Sequence, residues 1–219
     1  MQFHEGIDGL AEAFGTDRED ALARLKQNYD GYHFTYPSAD IYNPFSVLGA
    51  LKKRVIDSYW FATATPTFLI RLIHKSGKFL PQFFDETVDR RSLSASDSFH
   101  STPTAMLFQT GYLTIKDMEE PGVYVLGIPN LEVRKGLFED LASVYLDKDH
   151  TETFNSVRRV RSLLESRDID GAMDCLRGFL AGIPYYFSEK APELYYENNL
   201  FIVFMSECTA RMGDFAGAH

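Results

Sequence analysis

Three times along this chain a helix-capping residue stands directly before a proline, and that punctuation restricts the fold to a series of helices with abrupt starts. The pairs are Asn43-Pro44, Thr65-Pro66 and Thr102-Pro103. In each, the polar side chain can accept from the free N–H groups of a helix's first turn. Proline at the first helical position lacks only an N–H that would have no helical partner. Val47, Leu48 and Leu51 supply the buried face of the first helix, and Phe68, Leu69, Leu72 and Ile73 follow the second pair at helical spacing. Gly77 and Gly111 are fitting stops for the second and third helices. Thr16-Asp17-Arg18-Glu19 has capping-box spacing and predicts a helix with Ala21, Leu22 and Leu25 inward, ended by Asp30-Gly31. Pro129-Asn130 leads into another, with Val133, Leu137, Leu141, Val144 and Tyr145 on one stripe. Helical patterns also cover about 151–166 and 169–182, and a last one runs from about Pro192 to Arg211, after the interruption at Gly182 and Pro184.

The period changes in one place. Tyr112 to Lys116 alternates and is rich in β-formers, Glu119-Glu120-Pro121-Gly122 is a turn, and Val123 to Leu126 is a second β run. This predicts a hairpin. The fold class is therefore mainly α with a small β-hairpin. Helix, helix, hairpin, helix over residues 66–146 predicts a winged-helix-like unit, with Leu107 to Leu113 as its helix-to-wing corner. The helix before the wing has no Lys or Arg, so a structural role suits it better than DNA readout, which needs basic and polar donors. Residues 29–42 are aromatic and predicted to be irregular or a short hairpin, while 78–101 give no clear pattern.

With 219 residues, 45% of them hydrophobic, the chain can bury a substantial core as one large domain or two small ones. A net charge of -9 argues against a broad nucleic-acid surface, which needs clustered cations. Lys52-Lys53-Arg54 and Arg158-Arg159 with Arg161 are read as solvated helix faces. Cys175 and Cys208 fit neither a disulfide framework nor a zinc site, and read as buried reduced thiols. The N-terminal residues lack the pattern of a secretory signal, and no stretch approaches the roughly 18 apolar residues of a membrane span. The expected setting is the cytoplasm, with no membrane partner.

Sites for chemistry are conspicuous by what the motifs lack. The one Gly-Lys pair, Gly77-Lys78, is followed by Phe79, so there is no P-loop to hold phosphates. No Gly-x-Ser-x-Gly occurs, none of the six histidines has a metal-ligand spacing, and no Asp/Glu has Lys two residues later. Glu193 and Glu197, one helical turn apart, could form half of an acidic site or simply a polar helix face. Asp30 with His33 is the other candidate pair.

Four motifs are more specific. They are Asn28 to Phe34 (NYDGYHF), Ile41 to Leu48 (IYNPFSVL), Tyr59 to Pro66 (YWFATATP), and Leu107 to Ile115 (LFQTGYLTI) continuing to Ile128 to Arg134 (IPNLEVR). In order and spacing, over about residues 5–210, the chain resembles a large bacterial family that joins an AAA-ATPase-like domain to a C-terminal PD-(D/E)XK nuclease-like domain. The resemblance implies that the P-loop lies before Met1 and the nuclease's catalytic strands after His219. It divides the chain into the helical end of the ATPase-like region (1–65), the winged-helix-like unit (66–146), a helical linker (147–190) and a truncated start of the nuclease-like domain (191–219). ATP and Mg²⁺ are then expected only for the intact parent, with no cofactor or metal in this chain. Glu193 matches a Glu of the nuclease-like domain's first helix and is the single catalytic remnant. Tyr29, Asp30, Gly31, Tyr32, Tyr42, Asn43, Pro44, Gln109, Gly111, Tyr112, Pro129 and Asn130 carry the family motifs, and elementary chemistry gives each a structural use.

The expected function is that of a non-catalytic interdomain scaffold. The alternatives are a DNA-binding winged-helix-like module, or a metal-dependent nuclease completed by another chain. The apolar run Phe201 to Met205 would have to pack on the preceding helices or on another subunit, which predicts a homodimer through the C-terminal helix or an altered packing there.

Overall fold

The computed structural model describes residues 2–60, 67–93, 102–146, 150–182 and 192–215. The described residues are mainly helical, with one small antiparallel sheet. Helices α1 (Gln2–Phe14), α2 (Arg18–Tyr29) and α3 (Pro44–Lys53) come first. Then follow α4 (Thr67–Ser76), a 3-10 turn (Leu80–Phe83), β1 (Thr87–Asp89), α5 (Pro103–Gln109), β2 (Thr114–Glu120) and β3 (Val123–Gly127). The chain continues through α6 (Leu131–Tyr145), α7 (His150–Glu165), α8 (Ile169–Ala181) and α9 (Pro192–Phe215).

The caps explain most of the starts. Asn43 accepts from the N–H groups of Phe45 and Ser46, Thr102 from Ala105, and Asn130 from Val133. Thr65-Pro66 lies outside the described residues, just ahead of α4. One start is corrected. Asp17, not Thr16, caps α2 and accepts from Asp20 N–H at 2.8 Å, because its carboxylate is both charged and three residues ahead of that donor. The Thr16 hydroxyl is left buried without a partner.

Two apolar cores form. The smaller gathers Ile7, Leu10, Ala21, Leu25, Tyr29, Val47, Ala50 and Tyr59 from α1, α2, α3 and the segment after α3, while Leu22 and Leu48, expected inward, are exposed. The larger runs from Tyr32 through α4, the 3-10 turn, α5, the sheet and α6 to α9. The predicted hairpin is β2 and β3, and β1 adds a third strand on the other side of β3, giving the order β1-β3-β2. β1 falls in the stretch whose sequence gave no clear pattern. Three residues with one half-buried apolar side chain, Val88, are too few to show a period of two.

The C-terminal helix packs inward, on the preceding helices. Ile202 and Val203 are buried against the larger core. Phe201 lies against Phe84 and Phe138, with ring centroids 6.1 and 5.6 Å away. Asn198 adds directional bonds, accepting from Leu80 N–H at 2.7 Å and donating to the Lys78 carbonyl at 3.2 Å. Phe204 stays exposed. No helix among the described residues is long and apolar enough to cross a membrane.

Candidate functional site

The motif residues converge where the two cores meet. Tyr29 closes α2 inside the smaller core, and its hydroxyl donates to the Asp57 carbonyl at 2.9 Å and accepts from Asp57 N–H at 3.0 Å. Three residues later Tyr32 is already part of the larger core. Between them, Gly31 has φ +91°, and a Cβ there would lie 2.6 Å from the Pro129 carbonyl oxygen. Glycine is required on both counts, by the left-handed backbone and by the close approach of the 128–130 segment.

The 29–33 segment is pinned on both sides. Tyr32 and Ile41 exchange two backbone hydrogen bonds, and Asn43 N–H donates to the Tyr29 carbonyl at 2.8 Å. The predicted irregular or hairpin-like stretch is thus a single bridge. On the other side, Thr114 Oγ1 accepts from His33 N–H at 2.6 Å and donates to the His33 carbonyl at 2.9 Å. Asn130 ties the layers together: its Oδ1 caps α6, and its Nδ2 donates to the Asp30 carbonyl at 3.0 Å. The Tyr32 hydroxyl sits among the side chains of Asn43 and Asn130, the caps of α3 and α6. Burial is the main reason its proton is held well above the usual tyrosine range.

Glu132 occupies the centre of this junction and is only 3% exposed. Its carboxylate accepts from Ser46 Oγ at 2.7 Å and from Trp60 N–H at 2.9 Å, with Tyr59 N–H also contributing. It stands in the first turn of α6, and Ser46 stands in the first turn of α3, so the positive ends of two helices face one negative charge. Burial nevertheless pushes its carboxyl pKa up, and the hydrogen bonds only moderate that rise. Sequence reasoning placed Glu132 within a motif without assigning it a role. A Glu in a helix's first turn reads as ordinary dipole compensation, and its partners lie 86 and 72 residues away.

The other motif residues divide. Gly111 (φ +82°) lies beside the rings of Tyr32 and Trp60, and Tyr112 packs on Trp60 with centroids 5.1 Å apart. Pro129 is buried and its carbonyl accepts from Lys116 Nζ at 3.1 Å, whose proton affinity is lowered by desolvation. Gln109 donates to the Leu93 carbonyl at 3.1 Å. Pro44 begins α3 and Tyr42 is 38% exposed.

The candidate acidic groups sit on separate elements, Asp30 and His33 after α2 and Glu193 and Glu197 on α9. His33 pairs with Asp40 at 2.8 Å and Ser38 at 2.9 Å, rather than with Asp30. That trio has the residue types of a hydrolase relay, but Ser38 donates its only hydroxyl proton to the Thr35 carbonyl at 2.9 Å. The same hydroxyl also meets His33 Nδ1 at 2.9 Å, so its proton is shared between the carbonyl and the ring. Glu193 and Glu197 are both exposed on α9. Among the described residues no group of three or more His, Cys, Asp and Glu side chains is placed to hold a metal ion. Cys175 is a free, half-buried thiol, and the side chain of Cys208 lies outside the described residues.

The chain is similar to a protein of Azotobacter chroococcum mcd 1 described as an uncharacterized protein in the vnfD 5′ region. The two are 33% identical over 199 residues, which is 90% of this chain and 37% of the relative's length. The chain thus spans little more than a third of the curated relative it matches. No protein-family model matches the chain, and no solved structure matches it.

Proposed function

We propose that this chain is the connecting, non-catalytic section of a longer ATPase-like and nuclease-like protein, a scaffold that fixes the parts on either side of it. The observation that carries the reading is the buried junction. Glu132, Asn130, Ser46, Tyr29 and Tyr32 are buried, and the bonds from Ser46 to Glu132 and from Asn130 to the Asp30 carbonyl join one core to the other. Such a bond set positions modules, and it leaves the Glu132 carboxylate no vacant access for substrate. The greater length of the Azotobacter relative agrees with a role inside a larger protein. In this reading the protein resides in the cytoplasm. A homodimer through α9 would use Phe204, which is exposed, while Ile202 and Val203 are buried within the chain.

One observation favours a second reading. The element order α4, β1, α5, β2, β3 with strand order β1-β3-β2 resembles that of a winged-helix-like unit, a frequent DNA-binding module. Its charges oppose that use: α5 has no Lys or Arg, and Asp117, Glu119 and Glu120 are exposed along β2. A nuclease completed by a second chain would draw on Glu193 alone.

The test uses the purified chain. Mg²⁺-dependent cleavage of DNA or RNA, lost on Glu193→Ala, would overturn the scaffold reading in favour of the nuclease. Binding to duplex DNA at physiological ionic strength, weakening steeply with added salt, would favour the winged-helix reading. The scaffold predicts neither.

A further inference from the structure

The loop from His33 to Asp40 carries a serine, a histidine and an aspartate in one chain of hydrogen bonds. Its neck is closed by the two backbone bonds between Tyr32 and Ile41. His33 is fixed from behind, since Thr114 Oγ1 bonds both its N–H and its carbonyl, and Ile115 N–H donates to the same carbonyl at 3.2 Å. The ring lies between two partners: Asp40 Oδ1 is 2.8 Å from Nε2, and Ser38 Oγ is 2.9 Å from Nδ1. Lys26 Nζ takes the second Asp40 oxygen at 3.4 Å.

The carboxylate decides the tautomer of the ring. Asp40 can only accept, so Nε2 carries the proton and donates it. A neutral imidazole then has its lone pair on Nδ1, the nitrogen that faces Ser38. The Ser38 hydroxyl can turn its proton from the Thr35 carbonyl, 2.9 Å away, to this lone pair without moving a heavy atom. Nucleophile, base and orienting carboxylate are thus in hydrogen-bond reach of one another, the logic of a hydrolase relay with the two ring nitrogens exchanged. Ser38 is exposed, so a carbonyl carbon can reach its Oγ from solvent, while the His33 side chain is only 15% exposed.

We propose that Ser38 is an acyl-acceptor site: its hydroxyl attacks the carbonyl carbon of an activated ester or thioester, with His33 as general base and Asp40 as the positioning residue that holds the ring. The Oγ–C bond forms and the bond from that carbon to the leaving oxygen or sulfur breaks. The hydroxyl proton passes to His33 Nδ1 and from there to the departing alcohol or thiol. The product is an ester on Ser38, a covalent modification of the chain that goes beyond the scaffold reading and does not depend on it. The acyl class follows from charge. With the chain at a net -9 and Asp40 beside the ring, a neutral ester carbonyl approaches without the repulsion that a polyanionic phosphoryl donor meets.

The test treats the purified chain with p-nitrophenyl acetate at neutral pH and locates the acetyl group by peptide mass spectrometry. Acetylation of Ser38 is expected, slowed roughly 100-fold or more by His33→Gln, as for loss of a general base. Ser38→Ala, at an exposed position, should lose this label and keep the wild-type melting temperature. Nitrogen-15 NMR of the labelled histidines reads the tautomer directly. The proton of neutral His33 is expected on Nε2 in the wild type. In Asp40→Asn the side-chain amide can donate to Nε2, which moves the proton to Nδ1, and acetylation should slow as it does in His33→Gln. Acetyl groups on lysines alone, acetylation of Ser38 as fast in His33→Gln as in the wild type, or a wild-type His33 with its proton on Nδ1 each overturns the proposal.

Discussion

Replacing Glu132 should cost more stability than replacing any other carboxylate described in this chain. Glu132→Ala removes the acceptor for Ser46 Oγ and Trp60 N–H, and Ser46 is fully buried. Hydrogen bonds to a charged group contribute about 1.5–3 kcal/mol each, so two would give about 3–6 kcal/mol. The carboxylate's own desolvation offsets part of this, leaving a loss of about 3 kcal/mol. For a chain of this length that is roughly 6–12 °C in melting temperature. Glu132→Gln keeps the shape and one acceptor, and should cost about 1 kcal/mol. The two variants differ in pH dependence. Burial raises the folded-state pKa of Glu132, so beside the hydrogen bonds there is a proton-linked contribution, fully present below the ordinary glutamate value and lost as pH rises through the folded value. The stability difference between wild type and Glu132→Gln should therefore be greatest near pH 4 and shrink with rising pH to a plateau. Urea unfolding followed by circular dichroism, repeated in steps between pH 4 and 8, measures both effects. A Glu132→Ala loss below about 1 kcal/mol, or a difference from Glu132→Gln that does not change with pH, would refute the argument.

Other expectations follow from the same geometry. Gly31→Ala forces a side chain into a left-handed conformation and against the Pro129 carbonyl, and should lower stability by about 3 kcal/mol in chemical denaturation. Asn130→Ala loses the α6 cap and the tie to the Asp30 carbonyl, for about 2 kcal/mol, while Asn130→Asp should recover the cap alone and so about half of that loss in the same assay. His74 packs edge-on against Tyr145, and burial lowers its pKa, so its NMR titration should show a midpoint below the usual histidine value of 6.5. The stability linked to His74 is present above that usual value and is lost as pH falls toward the folded one.

The helices were legible because their starts are written locally. Asn43, Thr102 and Asn130 each sit next to the N–H groups they cap, and the stripe Val133, Leu137, Leu141 is buried as its spacing requires. Helix α1 was not read, since Gly6 and Gly9 break its pattern, and Gly9 is explained only by the Arg54 guanidinium lying against it. The junction was half legible. The motif residues around Gly31 and Asn130 stood out, yet nothing local tells that Glu132 meets Ser46 or that Asn130 reaches the Asp30 carbonyl. Those facts depend on contacts between segments far apart in sequence, where pattern and propensity carry no information. The apolar run on α9 was recognised correctly as needing cover, and α6 with the 3-10 turn supplies it within the chain.

Helix α6 has a mechanical consequence. Its first turn is keyed into the smaller core through Glu132 and Ser46, and through Asn130 and Asp30. Its last turn lies in the larger core, where the Tyr145 carbonyl meets the Tyr195 hydroxyl of α9 at 3.4 Å. Fifteen residues make a rod of about 22 Å. Because Val133 to Tyr145 pack in the larger core while the cap and first turn bond to α2 and α3, one helix carries the register between the two cores along a continuous backbone.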